Sequence, residues 1–239
     1  MATTAARKRS PSKARVGSPA RDAMSPLAFA IPAQARDLEG FRDWSRSRQF
    51  PENGSIAFIA GKIWVDMSPE RIESHNDVKT ELNRVLANLA VSEDLGKFQA
   101  DRVRLINVDA DLSCDPDGLF ALWASYEKGK LTKQPAKDGR ASVELIGSPD
   151  WVAEIVSPSS EEKDTKELLS KYHLAGISGY WLIDARDKFR FTMFQWKPDG
   201  YKAVAAKNGW NASEVFGHSF RWRQFKNRLG EVQYRLEIR

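Results

Sequence analysis

The chain has 239 residues, 41% hydrophobic and 29% charged, which is the composition of a folded globular protein with a substantial core. No apolar run nears the ~20 residues of a membrane span, and the single cysteine, Cys114, excludes an intramolecular disulfide and any cysteine-based zinc site. The net charge of +5 sits in residues 1–25, where six basic side chains face Asp22 alone; the other 31 basic and 31 acidic groups cancel, so the high isoelectric point does not mark the folded part as a nucleic-acid binder.

Residues 1–25 are rich in Ala, Ser, Arg and Pro without apolar periodicity and are expected to be a disordered basic tail. They lack the apolar stretch of a secretory signal. A phosphate-binding arm, a transit-like leader and a start at Met24 compete as explanations, and a dispensable tail is preferred. Residues 26–239 read as a single domain. One thiol fits a reducing compartment, so a cytoplasmic location is expected.

A short helix is expected over residues 36–48. SIAFIAGKIWVDM, 55–67, reads as two strands around Ala60-Gly61-Lys62. In 71–92, Ile72, Val78, Leu82, Val85, Leu86 and Leu89 recur at helical spacing. RVRLINV, 102–108, alternates as a strand. Another strand follows Asp117. Residues 125–140 are polar and Lys-rich and read as a loop. ASVELIG, 141–147, and WVAEIV, 151–156, are strands.

A helix is expected from Glu161 to Ala175, with Ser159 and Glu162 at capping-box spacing and Gly176 as its left-handed end. GYWLIDA, 179–185, is a buried strand, and 189–196 and the residues after Gly200 are antiparallel strands. The elements give an α/β (α+β) fold: a mixed sheet flanked by helices in the order αβββαβ, with extra N- and C-terminal strands.

Glu154 poses the chemical question, because it lies inside an apolar run that Ser-Pro-Ser-Ser then stops. A buried charge needs a partner, and a Lys, an Arg or a metal ion would serve. Asp117, in CDPDGLF, stands at the entrance to another apolar strand. Two carboxylates at neighbouring strand ends can share one hard divalent ion, and Lys163, Lys166 and Lys171 follow on the next helix. Equally, an Asp before a strand caps turns and a strand Glu pairs with a neighbouring cation. His75, His173 and His218 show no zinc spacing.

PDGLF at 116–120, SPDWVAEIVSPSSEEKD at 148–164, and Tyr172 with AGISGYWLIDA at 175–185 resemble the Uma-type family of restriction endonucleases, within the PD-(D/E)XK nuclease superfamily. SPERIESH at 68–75 resembles the family's segment with a helix-entry His. The resemblance spans about residues 40–220. It implies a restriction-endonuclease-like core and a DNA endonuclease dependent on Mg²⁺ or Mn²⁺. Asp117 and Glu154 would hold the metal, Ile155 would add its backbone carbonyl, and a helix lysine would complete catalysis.

The superfamily places a lysine two residues after the Glu, where this chain has Val156. Many Uma-type sequences carry it instead at the position of Leu168, four residues after Asp164. Lys163 is the preferred replacement, then Lys171 and Lys166. His75 reads as structural, Glu81 as an exposed helix residue, Asp150 and Asp184 as turn residues, and Tyr180 and Trp181 as core. DNA is the expected partner, and pairing into a homodimer to cut two strands fits the superfamily. A catalytically weak or inactive nucleic-acid-binding module of the same fold, in a mobile-element or defence system, is the alternative.

Overall fold

The computed structural model describes residues 30–136, 139 and 141–239. The basic tail, 1–25, lies outside the described residues. No described helix is long and apolar enough to cross a membrane.

Helix α1, Leu38–Ser45, is capped by Asp37, whose carboxylate accepts from the Gly40 amide at 2.8 Å. β1, Ser55–Ile59, and β2, Lys62–Asp66, form the expected hairpin. Its turn residues Ala60 and Gly61 both have positive φ, as a two-residue hairpin turn of matching twist requires. A π-helical turn, Ile72–Asn76, leads into α2, Asp77–Ser92. Then come β3, Gly96–Ala100; β4, Arg104–Asn107; β5, Leu112–Cys114; β6, Gly118–Leu122; and α3, Trp123–Glu127. β7, Leu131–Pro135, β8, Ser142–Gly147, and β9, Trp151–Ile155, follow. Helical structure resumes at Glu161, passes through a second π-helical turn, Lys163–Glu167, and becomes α4, Leu168–Leu174. Gly176 ends it at φ +69, with Ile177 N donating to Tyr172 O.

β10, Gly179–Asp184, β11, Arg190–Gln195, and β12, Lys202–Ala203, come next. β13, Asn211–Ala212, β14, Ser219–Lys226, and β15, Val232–Ile238, make a separate antiparallel sheet. The central sheet runs β12-β11-β10-β9-β6-β3, antiparallel throughout except for β9 beside β10. The order α2, β3, β6, β9, α4, β10 is the expected αβββαβ core. A second mixed sheet, β2-β1-β5-β4-β8-β7, is built from the N-terminal hairpin and the segments between core strands.

Three expectations are corrected. The first core strand is β3, whereas the alternating segment at 102–108 supplies β4 of the other sheet. GKFQA carries a weak signal because β3 is an edge strand with partly exposed Lys97, Phe98 and Gln99. Residues 125–140 hold most of α3 and all of β7. Only Leu131 of β7 is buried, and Thr132 and Lys133 face water, as suits an edge strand. Residues 137, 138 and 140 lie outside the described residues. The Ser159 hydroxyl donates to Asp66 Oδ2 at 2.5 Å, and at the turn before the helix Ser160 Oγ accepts from Ser157 N at 2.9 Å.

The central strands separate two apolar layers. Trp151, Ala153 and Ile155 of β9, Phe120 of β6, and Trp181 and Ile183 of β10 pack with Val78, Leu82, Leu86 and Leu89 of α2. Val152, Leu119, Ala121 and Tyr180 project the other way, with Leu168 and Tyr172 of α4 and Leu105 and Leu112 of the second sheet. A strand covered on both faces reads as a continuous apolar run, because its alternation separates two cores and not core from water. Glu154 occupies the last even-numbered position of β9, on the α4 side.

Candidate active site

Two strand ends and the two π-helical turns line one cleft of about 480 Å³. Gly118 pairs with Ala153, so Asp117, at the mouth of β6, lies beside the end of β9. Its Oδ2 accepts from the Ile155 amide at 2.8 Å. That bond fixes Asp117 to the strand bearing Glu154. Asp117, Glu154, Ile155 and Lys163 all line the cleft.

Glu154 is 3% exposed. Its Oε1 accepts from Tyr172 Oη at 2.5 Å, and its Oε2 lies 3.7 Å from Lys163 Nζ. Lys163 Nζ also lies 2.5 Å from Asp164 Oδ1, while Asp164 Oδ2 accepts from Ser160 Oγ at 2.5 Å. Burial pushes the Glu154 carboxyl well above its ordinary range. Lys163 and the Tyr172 hydroxyl oppose that rise, and the charges of Asp164 and Asp117 add to it. Burial also disfavours the Lys163 charge, but Glu154 and Asp164 outweigh it and hold the ammonium charged. Behind Tyr172, Cys114 Sγ lies 3.4 Å from its hydroxyl. Burial, with Glu154 adding, pushes that thiol up to about 12, which disfavours the thiolate.

The opposite wall comes from the entry to α2. His75 is 7% exposed, with Nε2 3.6 Å from Asp117 Oδ2 and Nδ1 3.4 Å from Glu70 Oε2. Lys79, one turn on, is 5% exposed. Its ammonium meets Glu70 Oε1 at 2.6 Å, Asp101 Oδ2 at 3.0 Å and Asp117 Oδ1 at 3.2 Å. Burial opposes this charge too, but the three carboxylates outweigh it and raise the Lys79 pKa.

Sequence reasoning missed Lys79, Glu70, Asp101 and the contact between Tyr172 and Glu154. Lys79 left a signal: it falls on the α2 stripe with His75, Leu82 and Leu86, where a lysine has no place unless it is paired. Glu70 and Asp101 sit in loops and left none. His75, read as structural, lines the cleft.

The other candidates sit elsewhere. Lys166 is exposed, Lys171 is half-buried, and neither lines the cleft; Leu168 is fully buried in the core. Val156 is 1% exposed, so the lysine position of the superfamily motif holds a core side chain. Glu81 is half-buried, pairs with Arg84 and accepts from Leu236 N at 3.0 Å. Asp150 takes a structural role, accepting from Leu122 N at 2.8 Å and Ser125 Oγ at 2.9 Å. Asp184 forks onto Arg186 with two bonds of 2.9 Å.

The donor set fits a hard cation. Seven carboxylates line the cleft, from Asp66, Glu70, Asp101, Asp115, Asp117, Glu154 and Asp164. Three cationic side chains, Arg71, Arg102 and Lys163, accompany them, and Lys79 is a fourth just behind. The ligand atoms of Glu70, His75 and Asp117 come within 4.8 Å of one another, but the Lys79 ammonium already bonds Glu70 and Asp117. Glu154 has one ammonium, shared with Asp164, for a fully buried charge. Oxygen donors with excess negative charge are what Mg²⁺-type ions select.

Comparison with known proteins agrees with this architecture. No curated protein matches the chain. A solved structure from Anabaena variabilis, described as a "putative nuclease belonging to DUF820", superposes with a TM-score of 0.54 at 20% identity, covering 76% of this chain and 90% of that one. At that identity the likeness speaks for the fold: an α+β restriction-endonuclease-like core. Residues 38–223 match the family model described as "Uma2: Putative restriction endonuclease", and the chain belongs to the Uma2 family.

Proposed function

We propose that the chain is a divalent-metal-dependent DNA endonuclease. The observation that carries this reading is the bond from the Ile155 amide to Asp117, which fixes that carboxylate beside Glu154 at the edge of an acid-rich cleft. Asp117 and Glu154 would hold Mg²⁺ or Mn²⁺, with the Ile155 carbonyl as a further oxygen ligand. When bound, the ion supplies Lewis-acid activation of the phosphodiester and of the attacking water. It also offsets the negative charge that would otherwise repel a phosphate from this cleft.

The chain's own residues do the rest. The Ile155 amide orients Asp117, and Tyr172 fixes the rotamer of Glu154 through Oε1, leaving Oε2 toward Lys163. Lys163 is held charged, so it cannot take a proton as a base. It orients the attacking water and stabilises the charge that develops on the phosphate. Asp164, bonded by Ser160, places the ammonium. Lys163 thus supplies from the helix the cation that the core side chain Val156 cannot.

The test is nicking of supercoiled plasmid and cutting of single-stranded DNA in Mg²⁺, Mn²⁺ or EDTA, with wild type beside Asp117→Ala, Glu154→Ala and Lys163→Ala. Metal-dependent cleavage lost in both carboxylate variants is expected. Equal activity in all four proteins would identify a contaminant. Folded wild type that cuts nothing but binds DNA in EDTA would replace the reading with that of a binding module, which Val156 in the motif position favours.

A further inference from the structure

The C-terminal sheet has a second charged region that the cleft does not use. Alternation gives its strands two faces. Phe220, Trp222, Leu236 and Ile238 pack into the core layer with α2. The other face carries Arg221, Arg223 and Phe225 from β14 and Arg235 and Glu237 from β15, with Arg239 just past its end. Arg223, Arg235 and Arg239 are exposed, and Phe225 is 38% exposed.

This face is built with an excess of positive charge. Arg223 stands directly across from Arg235 in the β14–β15 register. Like charges in that position cost stability, so folding alone does not explain them. Glu237, bonded by Arg221 Nε at 2.9 Å and lying 3.7 Å from Arg223 Nε, is the one carboxylate on these strands for four guanidinium groups. Aromatic rings hold three of them: Arg221 and Arg239 lie 4.4 and 4.5 Å from the centroid of Trp210, and Arg235 lies 5.0 Å from that of Phe225. Stacked guanidinium groups lose little further freedom when they bond a phosphate. The family match ends at residue 223, so β15 and the end of β14 lie beyond it.

We propose that the outer face of β14 and β15 is a docking surface for DNA. Arginines, held in place by the rings of Trp210 and Phe225, contact the phosphate backbone. This deepens the nuclease reading and rests on it for the identity of the ligand. Charge complementarity carries the choice: the chain outside its first 25 residues is neutral, and this face concentrates arginine over one partly neutralised carboxylate.

The experiment is fluorescence anisotropy of the full chain with a labelled DNA duplex in EDTA, over a range of salt. Wild type is compared with Arg223→Glu/Arg235→Glu and Arg223→Ala/Arg235→Ala. The alanine pair relieves the cross-strand repulsion, so it should fold at least as well as wild type by circular dichroism and thermal midpoint. Expected are a loss of affinity of about tenfold or more and a fall of about 2 in the slope of log affinity against log salt. Unchanged affinity and slope in folded variants would overturn the proposal. So would variants that lose binding to a poly-glutamate peptide but keep DNA, which would assign the face to an acidic protein. Because binding is read without metal, absent cleavage with intact DNA binding counts against the nuclease reading alone. Intact cleavage with an unchanged salt slope counts against the docking face alone.

Discussion

The cleft and the outer face of the C-terminal sheet are both charged, but they use charge in opposite ways. In the cleft the charges are mainly acidic, the innermost of them buried, and bonded in small closed sets: Lys163 with Asp164 and Glu154, and Lys79 with Glu70, Asp101 and Asp117. On the sheet they are mainly basic, mostly exposed, and held by rings more than by counter-charges. A buried charge must be paired, so removing one partner disturbs the rest. An exposed one is screened by salt and contributes by number. The cleft is thus built for position and the sheet for attraction, and substitutions should act differently in the two.

The largest effect should come from Glu154→Gln or Asp117→Asn. Each preserves shape and removes a ligand charge. Divalent-ion affinity, measured by calorimetry with Ca²⁺, should fall by more than the ~10–100-fold typical of losing a ligand's outer partner, and cleavage should fall with it. DNA affinity in EDTA should hold or rise, since the cleft becomes less negative. Lost DNA affinity in these variants would break the separation of the two regions.

Lys79→Met comes next. It strands Asp117 in a buried site, although Glu70 and Asp101 can reach water. A loss of about 3 kcal/mol is expected in urea unfolding at neutral pH, the low end for breaking a buried pair. A divalent ion should partly restore stability by taking the place of the ammonium among the three carboxylates. Unchanged stability would mean that the Lys79 pairs behave as surface pairs.

Acidity offers a smaller and graded probe. Burial foremost raises the folded Glu154 pKa above its unfolded value, so the metal-free folded state binds the extra proton. The stability contribution of this group is therefore greatest at low pH and declines as pH rises from the ordinary carboxylate range through the raised folded value. A bound divalent ion favours the charged form, so its affinity should weaken as pH falls through the same window. Urea unfolding in EDTA and in Mg²⁺, between about pH 5 and pH 8, should show the two curves diverging upward in pH. Parallel curves would remove Glu154 from the ligand set.

The smallest effect belongs to single arginines of the sheet. Arg223→Ala alone should lower DNA affinity only a few-fold and the salt slope by about 1, with no change in Ca²⁺ affinity. A change in Ca²⁺ affinity would show that the two regions are coupled.

Much of the core was legible because its signals are local. α2 announces itself by apolar spacing, β9 and β10 by buried runs, and the end of α4 by Gly176. Asp117 and Glu154 were legible as acids in apolar strand context. β3 and β7 were not, because edge strands expose much of their length and lose the alternation that marks a half-buried strand. The Ser159 capping reading failed because the helix starts only at Glu161 and Ser159 is turned instead toward Asp66, 93 residues away in sequence.

By itself the sequence determined the apolar patterns of the central helix and strands, the two strand-end carboxylates, the absent motif lysine and the neutrality of the chain beyond its tail. These depend on residues near one another along the chain. Tertiary structure alone decided which lysine faces Glu154, that Lys79 binds Asp117, and that four arginines share one exposed face. Each of those facts joins separate elements. The π-helical turns set the direction of Lys163 and His75, and the strand register places Arg223 across from Arg235. Pairing of that kind is fixed by packing and register, which local spacing does not encode.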